Sequence, residues 1–443
     1  MRDSELDAVL EEARDAYSRR HPASLAQHQA AAAGALPGGN TRSVLYYEPF
    51  PLTFVRGEGA RLTDLDGHVY TDFLSEFTAG VAGHSHPAIR RAVATAMESG
   101  INLGGHTVQE PRFAAAVRVR FPVMEKLRFA NSGTEANLLA ISLARAATGR
   151  EKVMVFSGAY HGGVFVFTAP RTINAPFPYV MGTYNDTEAT LAAIHAHRDE
   201  LAAVILEPML GGGGCIPADA AFLAALREAT RQAGILLIFD EVMTSRLAPA
   251  GLGAALGVAP DLMTLGKYVG GGMSFGAFGG RAELMALLDP TRPGALGHAG
   301  TFNNNVLTMT AGIAALEEVY TVEACQALNA YGERLRGRLN ALCAGHGAAL
   351  HFTGHGSLFC AHALPTAPGS YQAAAKGSRA VIDLLFFDLV AAGFWLARRG
   401  MMALSVALSE ADGDAFLAAV EEFLAARGSV LVGDWDQAKQ SAA

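Results

Sequence analysis

Charge is scarce in this sequence. Asp, Glu, Lys and Arg make up 17% of its 443 residues, while 51% belong to the hydrophobic set; soluble domains usually carry about a quarter charged. What charge there is leans acidic, 42 against 34, for a formal net charge of −8. The basic stripe that a nucleic-acid partner needs is missing, so no nucleic acid is expected. A surface this poor in charge is expected to be covered in part by another subunit.

Cysteine is equally sparse. Cys215, Cys325, Cys343 and Cys360 show neither a CxxC pair nor zinc spacing. That excludes a disulfide framework, gives no reason to expect a metal, and reads as free thiols in a reducing compartment. Long uninterrupted apolar runs are absent too. The strongest, "AVIDLLFFDLVAAGFWLA" at 380–397, is broken by Asp383 and Asp388, each costing about 2.5–3.5 kcal/mol at a bilayer centre. The run reads as a buried helix leading into a strand, with no membrane partner. The first twenty residues form a charged helix pattern without an apolar signal core, so a cytoplasmic protein is expected.

What is present falls into three stretches. Two helical patterns open the chain, "LPGGN" breaks them at 36–40, and "LTFVRGEGARLTDLDGHVYTDF" alternates in the manner of a hairpin. We place an N-terminal segment at 1–65. From 66 to 310 short apolar runs ("KVMVF", "AAVILEP", "ILLIFDE", "LMTLGK", "SFGAFGG") alternate with helical stretches. This predicts a large α/β domain whose mainly parallel sheet is covered by helices on both faces. Long helices with isolated strands then predict a smaller C-terminal α+β domain at 311–443. The predicted strands end in Ser157-Gly158, Glu207, Asp240 and Lys267. Ligands of open α/β sheets bind beyond the carboxyl ends of the strands, so these residues point to one shared site.

Lys267 is the only charge in "TLGKYVGGGMSFGAFGG". A phosphate-gripping P-loop would need a Gly where Asp261 stands and a Ser or Thr where Tyr268 stands. A lysine snorkelling at a strand end remains open, but a partly desolvated lysine is also a nucleophile toward carbonyls. The glycines after it would let backbone approach a bulky ligand. Asp240 could be a helix N-cap, or the acid that keeps a pyridinium nitrogen protonated. Ser132-x-x-Glu135 reads as a capping box, and the helix start at Gly133 and Thr134 favours an anion. Each signal is weak alone; the three together indicate a pyridoxal phosphate site.

In order along the chain, "NSGTEAN", "YHGG", "EPM", "FDEVMTSR", "LGKYVGGGMSFGAFGG" and "GTFNNNVLTMTAG" resemble class III pyridoxal-phosphate aminotransferases of fold type I, from about Pro37 to Ser405. Within that class "DEVMTSRL" and "GTFNNN" resemble the aromatic β-amino acid aminotransferases of the β-phenylalanine type. The resemblance implies pyridoxal 5'-phosphate joined to Lys267 by an imine. It implies Asp240 at the ring nitrogen, Ser132, Gly133 and Thr134 at the phosphate, and Tyr160 stacked on the ring. Thr301 would reach the phosphate from the neighbouring subunit of a homodimer with shared sites. Arg42 and Arg399 would hold substrate carboxylates, although Arg398 is adjacent and could be the one that faces the site. Phe77 and Met243 would line the substrate side, and Glu207 would either line it or only cap the turn before Pro208. His161 is read as structural and left out. The implied reaction is ping-pong transfer of an amino group from a β-amino acid such as (S)-β-phenylalanine to 2-oxoglutarate or pyruvate. The alternative is a glutamate-1-semialdehyde 2,1-aminomutase.

Overall fold

In a computed structural model, which describes residues 2–169 and 171–431, the apolar runs of the middle stretch form one seven-stranded sheet. Its spatial order is Lys126–Ala130, Gly276–Gly280, Leu262–Gly266, Leu236–Asp240, Leu201–Leu206, Lys152–Phe156 and Tyr179–Gly182. Gly276–Gly280 runs against both of its neighbours, and the remaining pairs are parallel. The three strands ending near Glu207, Asp240 and Lys267 are buried along their whole length, as continuous apolar runs at the centre of a covered sheet should be.

Successive residues of these strands serve opposite faces. Val153, Val155, Ala203, Ile205 and Ile238 meet Ala136, Ala140 and Ala144 of the helix Gly133–Thr148. Met154, Phe156, Val204, Leu206 and Phe239 meet Phe222, Leu223 and Leu226 of the helix Ala220–Ala233. Alanines on the first helix let it lie close to the sheet, which brings its N-terminus over the strand ends. The two strands not read from the sequence, Lys126–Ala130 and Tyr179–Gly182, are the sheet's edges, and their side chains are mostly half-buried or exposed.

The expected hairpin is an antiparallel meander of Phe54–Glu58, Arg61–Asp64 and Val69–Asp72. It is extended by Phe394–Trp395, parallel to its last strand, so distant parts of the chain share one small sheet. The run at 380–397 is the helix Arg379–Ala391 leading into that strand. Its two carboxylates are neutralised by arginines, Asp383 by Arg398 and Asp388 by Arg427. Among the described residues no helix is long and apolar enough to cross a membrane.

Candidate active site

Beyond the carboxyl ends of the central strands lies a cavity of about 350 Å³ bordered by Ser132, Gly133, Thr134, Tyr160, Glu207, Asp240, Met243 and Lys267, and by Arg42. The structure therefore brings together nine of the residues singled out from the sequence. Asp240 ends its strand and is rigidly held. Its Oδ1 accepts the Val242 amide at 3.0 Å, and its Oδ2 accepts Asn137 Nδ2 at 2.8 Å and His161 Nδ1 at 2.9 Å. Asn137 is itself fixed, donating to the His161 carbonyl at 3.0 Å and accepting from Thr264 Oγ1 at 2.7 Å.

His161, read from the sequence as structural and left out of the site, borders the cavity and braces Asp240. Its imidazole is 1% exposed, it orients the key carboxylate, and its Nε2 has no hydrogen-bond partner among the described residues. Asn137 was missed altogether. It lies one turn along the helix from Gly133, where only the fold reveals that it faces Asp240.

Lys267 adopts φ +53°, a conformation that costs a non-glycine residue about 1–3 kcal/mol and persists only where its surroundings impose it. Its ammonium makes no hydrogen bond or ion pair among the described residues. Burial lowers its pKa to about 8, Asp240 opposes that shift, and Arg42 adds to it. Of the three glycines that follow, Gly270 and Gly271 are packed tightly while Gly272 has open space around it. A Cβ on Gly270 would lie 2.3 Å from Phe275 Cβ, and one on Gly271 only 2.4 Å from the Ala311 carbonyl oxygen.

The Ser132 half of the capping box forms, and its return bond reaches one residue further back. Ser132 Oγ accepts the Glu135 amide at 3.1 Å, while Glu135 Oε2 accepts the Asn131 amide at 2.8 Å. Among the described residues the amides of Gly133 and Thr134 have no acceptor, in the first turn of a sixteen-residue helix, a ready anion site. The "YHGG" loop is tied down over it. Gly163 donates its amide to Thr134 Oγ1 at 3.1 Å, and a Cβ on Gly162, at φ +115°, would lie 2.2 Å from that oxygen. Glu207 anchors the same loop, accepting the Tyr160 amide at 3.0 Å and the Gly211 amide at 2.9 Å. Burial pushes its carboxyl up to about 7, with His161 opposing and Asp240 reinforcing the shift. The Tyr160 ring is left 42% exposed at the cavity mouth.

Of the residues expected to meet substrate, Arg399 and Phe77 line not this cavity but the one next to it; Arg42, which borders both, and Arg399 place their guanidiniums on the Phe77 ring, 5.7 and 5.4 Å from its centroid. Arg398 is committed elsewhere, holding Asp383 with two hydrogen bonds of 2.8 and 2.6 Å. Arg399 has no carboxylate partner among the described residues; its Nη2 meets Met401 Sδ at 2.9 Å and its Nε is buried and unpaired. Met243 is 8% exposed and packs against Gly211. Thr301 is exposed, in the turn before the helix Val306–Ala314, and does not border this cavity within one chain. Its neighbour Asn303 accepts from Asn131 Nδ2 at 3.0 Å.

An unpaired lysine, a braced carboxylate and a free helix N-terminus fit the aldehyde, ring nitrogen and phosphate of pyridoxal 5'-phosphate. Comparison with known proteins agrees. The family model for class-III aminotransferases matches residues 45–376. The chain is 52% identical to the β-phenylalanine transaminase of Variovorax paradoxus over 96% of its own length and 98% of the relative's. The crystal structure of the β-phenylalanine aminotransferase from Variovorax paradoxus superposes with a TM-score of 0.94, at 52% identity, covering 96% of this chain and 99% of that one. A glutamate-1-semialdehyde 2,1-aminomutase of Sorangium cellulosum is more distant, 38% identical over 93% of this chain and 98% of that protein. This chain belongs to the class-III aminotransferases, enzymes of fold type I that work with pyridoxal 5'-phosphate.

Proposed function

We propose that this enzyme moves the amino group of a β-amino acid, aromatic as in (S)-β-phenylalanine, to a 2-keto acid such as 2-oxoglutarate or pyruvate in a ping-pong cycle. The observation that carries this reading is the pair of guanidiniums on one aromatic ring, with Arg42 bordering the Lys267 cavity and Arg399 and Phe77 lining the cavity next to it. A donor with a ring and one carboxylate, and an acceptor with one or two carboxylates, both find matching chemistry there. The 52% identity to a β-phenylalanine transaminase supports it.

Bound pyridoxal phosphate supplies the electron sink at the amine-bearing carbon. Lys267 moves the proton at that carbon, and Asp240 holds the proton on the ring nitrogen. Ser132, Gly133 and Thr134 hold the phosphate, and Tyr160 covers the ring. Arg42 grips the donor carboxylate, and Arg399 receives the keto acid. Phe77 and Met243 make the apolar wall, while Glu207 keeps the Tyr160 loop in place. Thr301 completes the phosphate site of a neighbouring subunit. The exposed apolar group of Ile101, Leu103, Val108 and Phe302 beside it is a face for a second copy. Four free buried thiols suit the cytoplasm.

A donor panel tests the reading: both β-phenylalanine enantiomers, β-alanine, α-alanine and glutamate-1-semialdehyde, each with and without 2-oxoglutarate or pyruvate. β-Phenylalanine should be consumed only when an acceptor is present. Reaction with α-amino acids alone, or acceptor-independent isomerisation of glutamate-1-semialdehyde, would overturn it.

A further inference from the structure

Glu76 stands where three cavities meet. It borders the cavity of Lys267, the cavity of about 750 Å³ beside Arg399 and Trp395, and one of about 500 Å³ along the helix Pro87–Glu98. Arg42 borders the first two, and its Nη2 meets Glu76 Oε1 at 2.5 Å. The ion pair is therefore the partition between the lysine and the larger space. Both partners are about half exposed, 48% and 57%, so the pair is weak and readily exchanged.

The turn that delivers Glu76 is unusual. Ser75, Glu76, Phe77 and Thr78 have φ of 46°, 48°, 51° and 80°, four consecutive non-glycine residues in left-handed backbone. Asp72 holds the turn from below, its Oδ1 accepting the Leu74 and Ser75 amides at 2.8 and 2.9 Å. Ser75 Oγ and Thr78 Oγ1 are buried without hydrogen-bond partners among the described residues. Backbone forced into this state by its surroundings marks a position held for function. Here it aims one carboxylate at one of two arginines that share the Phe77 ring. The other, Arg399, has none.

We propose that Glu76 is a resident stand-in for the substrate carboxylate on Arg42. An arriving carboxylate takes its place with the local charge unchanged, and the displaced side chain turns into the cavity along Pro87–Glu98, which it already borders. The partition then opens and the donor amine reaches Lys267. An amine without a carboxylate has nothing to exchange for Glu76 and must wait for the weak pair to part unaided, a handicap of about two- to fivefold. Glu76 is thus a positioning residue that selects amino acids over plain amines. This rests on Arg42 being the donor-carboxylate site.

The test titrates 3-phenylpropanoate, a carboxylate with no amine, into the holoenzyme by calorimetry for wild type, Glu76→Gln, Glu76→Asp and Arg42→Ala. Kinetics with β-phenylalanine and 1-phenylethylamine accompany it. Glu76→Gln should bind 3-phenylpropanoate about two- to fivefold more tightly. Its KM for β-phenylalanine should fall more than its kcat changes, and 1-phenylethylamine should gain in kcat/KM relative to β-phenylalanine. Glu76→Asp, one methylene too short to reach Arg42, should behave in the same way. If Arg42→Ala weakens 3-phenylpropanoate binding but neither Glu76 variant tightens it, the stand-in role is wrong while the Arg42 site survives. If Arg42→Ala binds like wild type, both fall.

Discussion

A lysine that combines with an aldehyde near neutral pH must offer a free amine, and the environment of Lys267 provides one. Its pKa of about 8 lies below the usual lysine range because burial disfavours the charged form. The free-base fraction therefore grows as pH rises through that value and shrinks as pH falls below it. Capture of pyridoxal phosphate by the apoenzyme, followed by absorbance, should accelerate with pH and reach half its maximum near 8. Lys267→Ala should lower kcat at least about a thousandfold. The adjacent arginines should separate cleanly. Arg398→Ala removes the nearer of two arginines on a nearly buried Asp383, leaving only the exposed Arg379 at 3.4 Å, and should cost about 2 kcal/mol in chemical denaturation. Arg399→Ala should leave the melt nearly unchanged and raise KM for the keto acid.

At the scale of elements, the proposed phosphate site depends on a helix start and a loop that press against each other. Ser132→Ala removes the cap and should cost about 1 kcal/mol of stability, with weaker cofactor retention on dialysis. Gly162→Ala would place a methyl 2.2 Å from Thr134 Oγ1 and should cut kcat roughly tenfold to a hundredfold by displacing the loop. The central strands were legible because burial on both faces demands unbroken apolar runs, and the cap because it is local chemistry. Lys126–Ala130 and Tyr179–Gly182 were not, since edge strands need no such run. His161, Asn137 and Glu76 escaped for a different reason. Each acts through a partner distant in sequence, Asp240 for the first two and Arg42 for the third, and no periodicity encodes such a meeting. For Gly270 and Gly271 the sequence does not separate two causes, because close packing of backbone against Phe275 and Ala311 leaves the same mark as space for a ligand.

At the scale of the molecule, the low charge content and the apolar face at Leu103, Val108 and Phe302 (60%, 82% and 57% exposed) belong to one account, in which two copies complete each other's sites. Leu103→Asp combined with Val108→Asp should shift light scattering from dimer to monomer and remove most activity. Full activity in a monomer would refute shared sites. Every other inference depends on Lys267 being the residue that holds the cofactor. The most direct measurement is borohydride reduction of the holoenzyme followed by peptide mass mapping. The account predicts one pyridoxyl group, on Lys267; a pyridoxyl group on a different lysine, or on none, would contradict it.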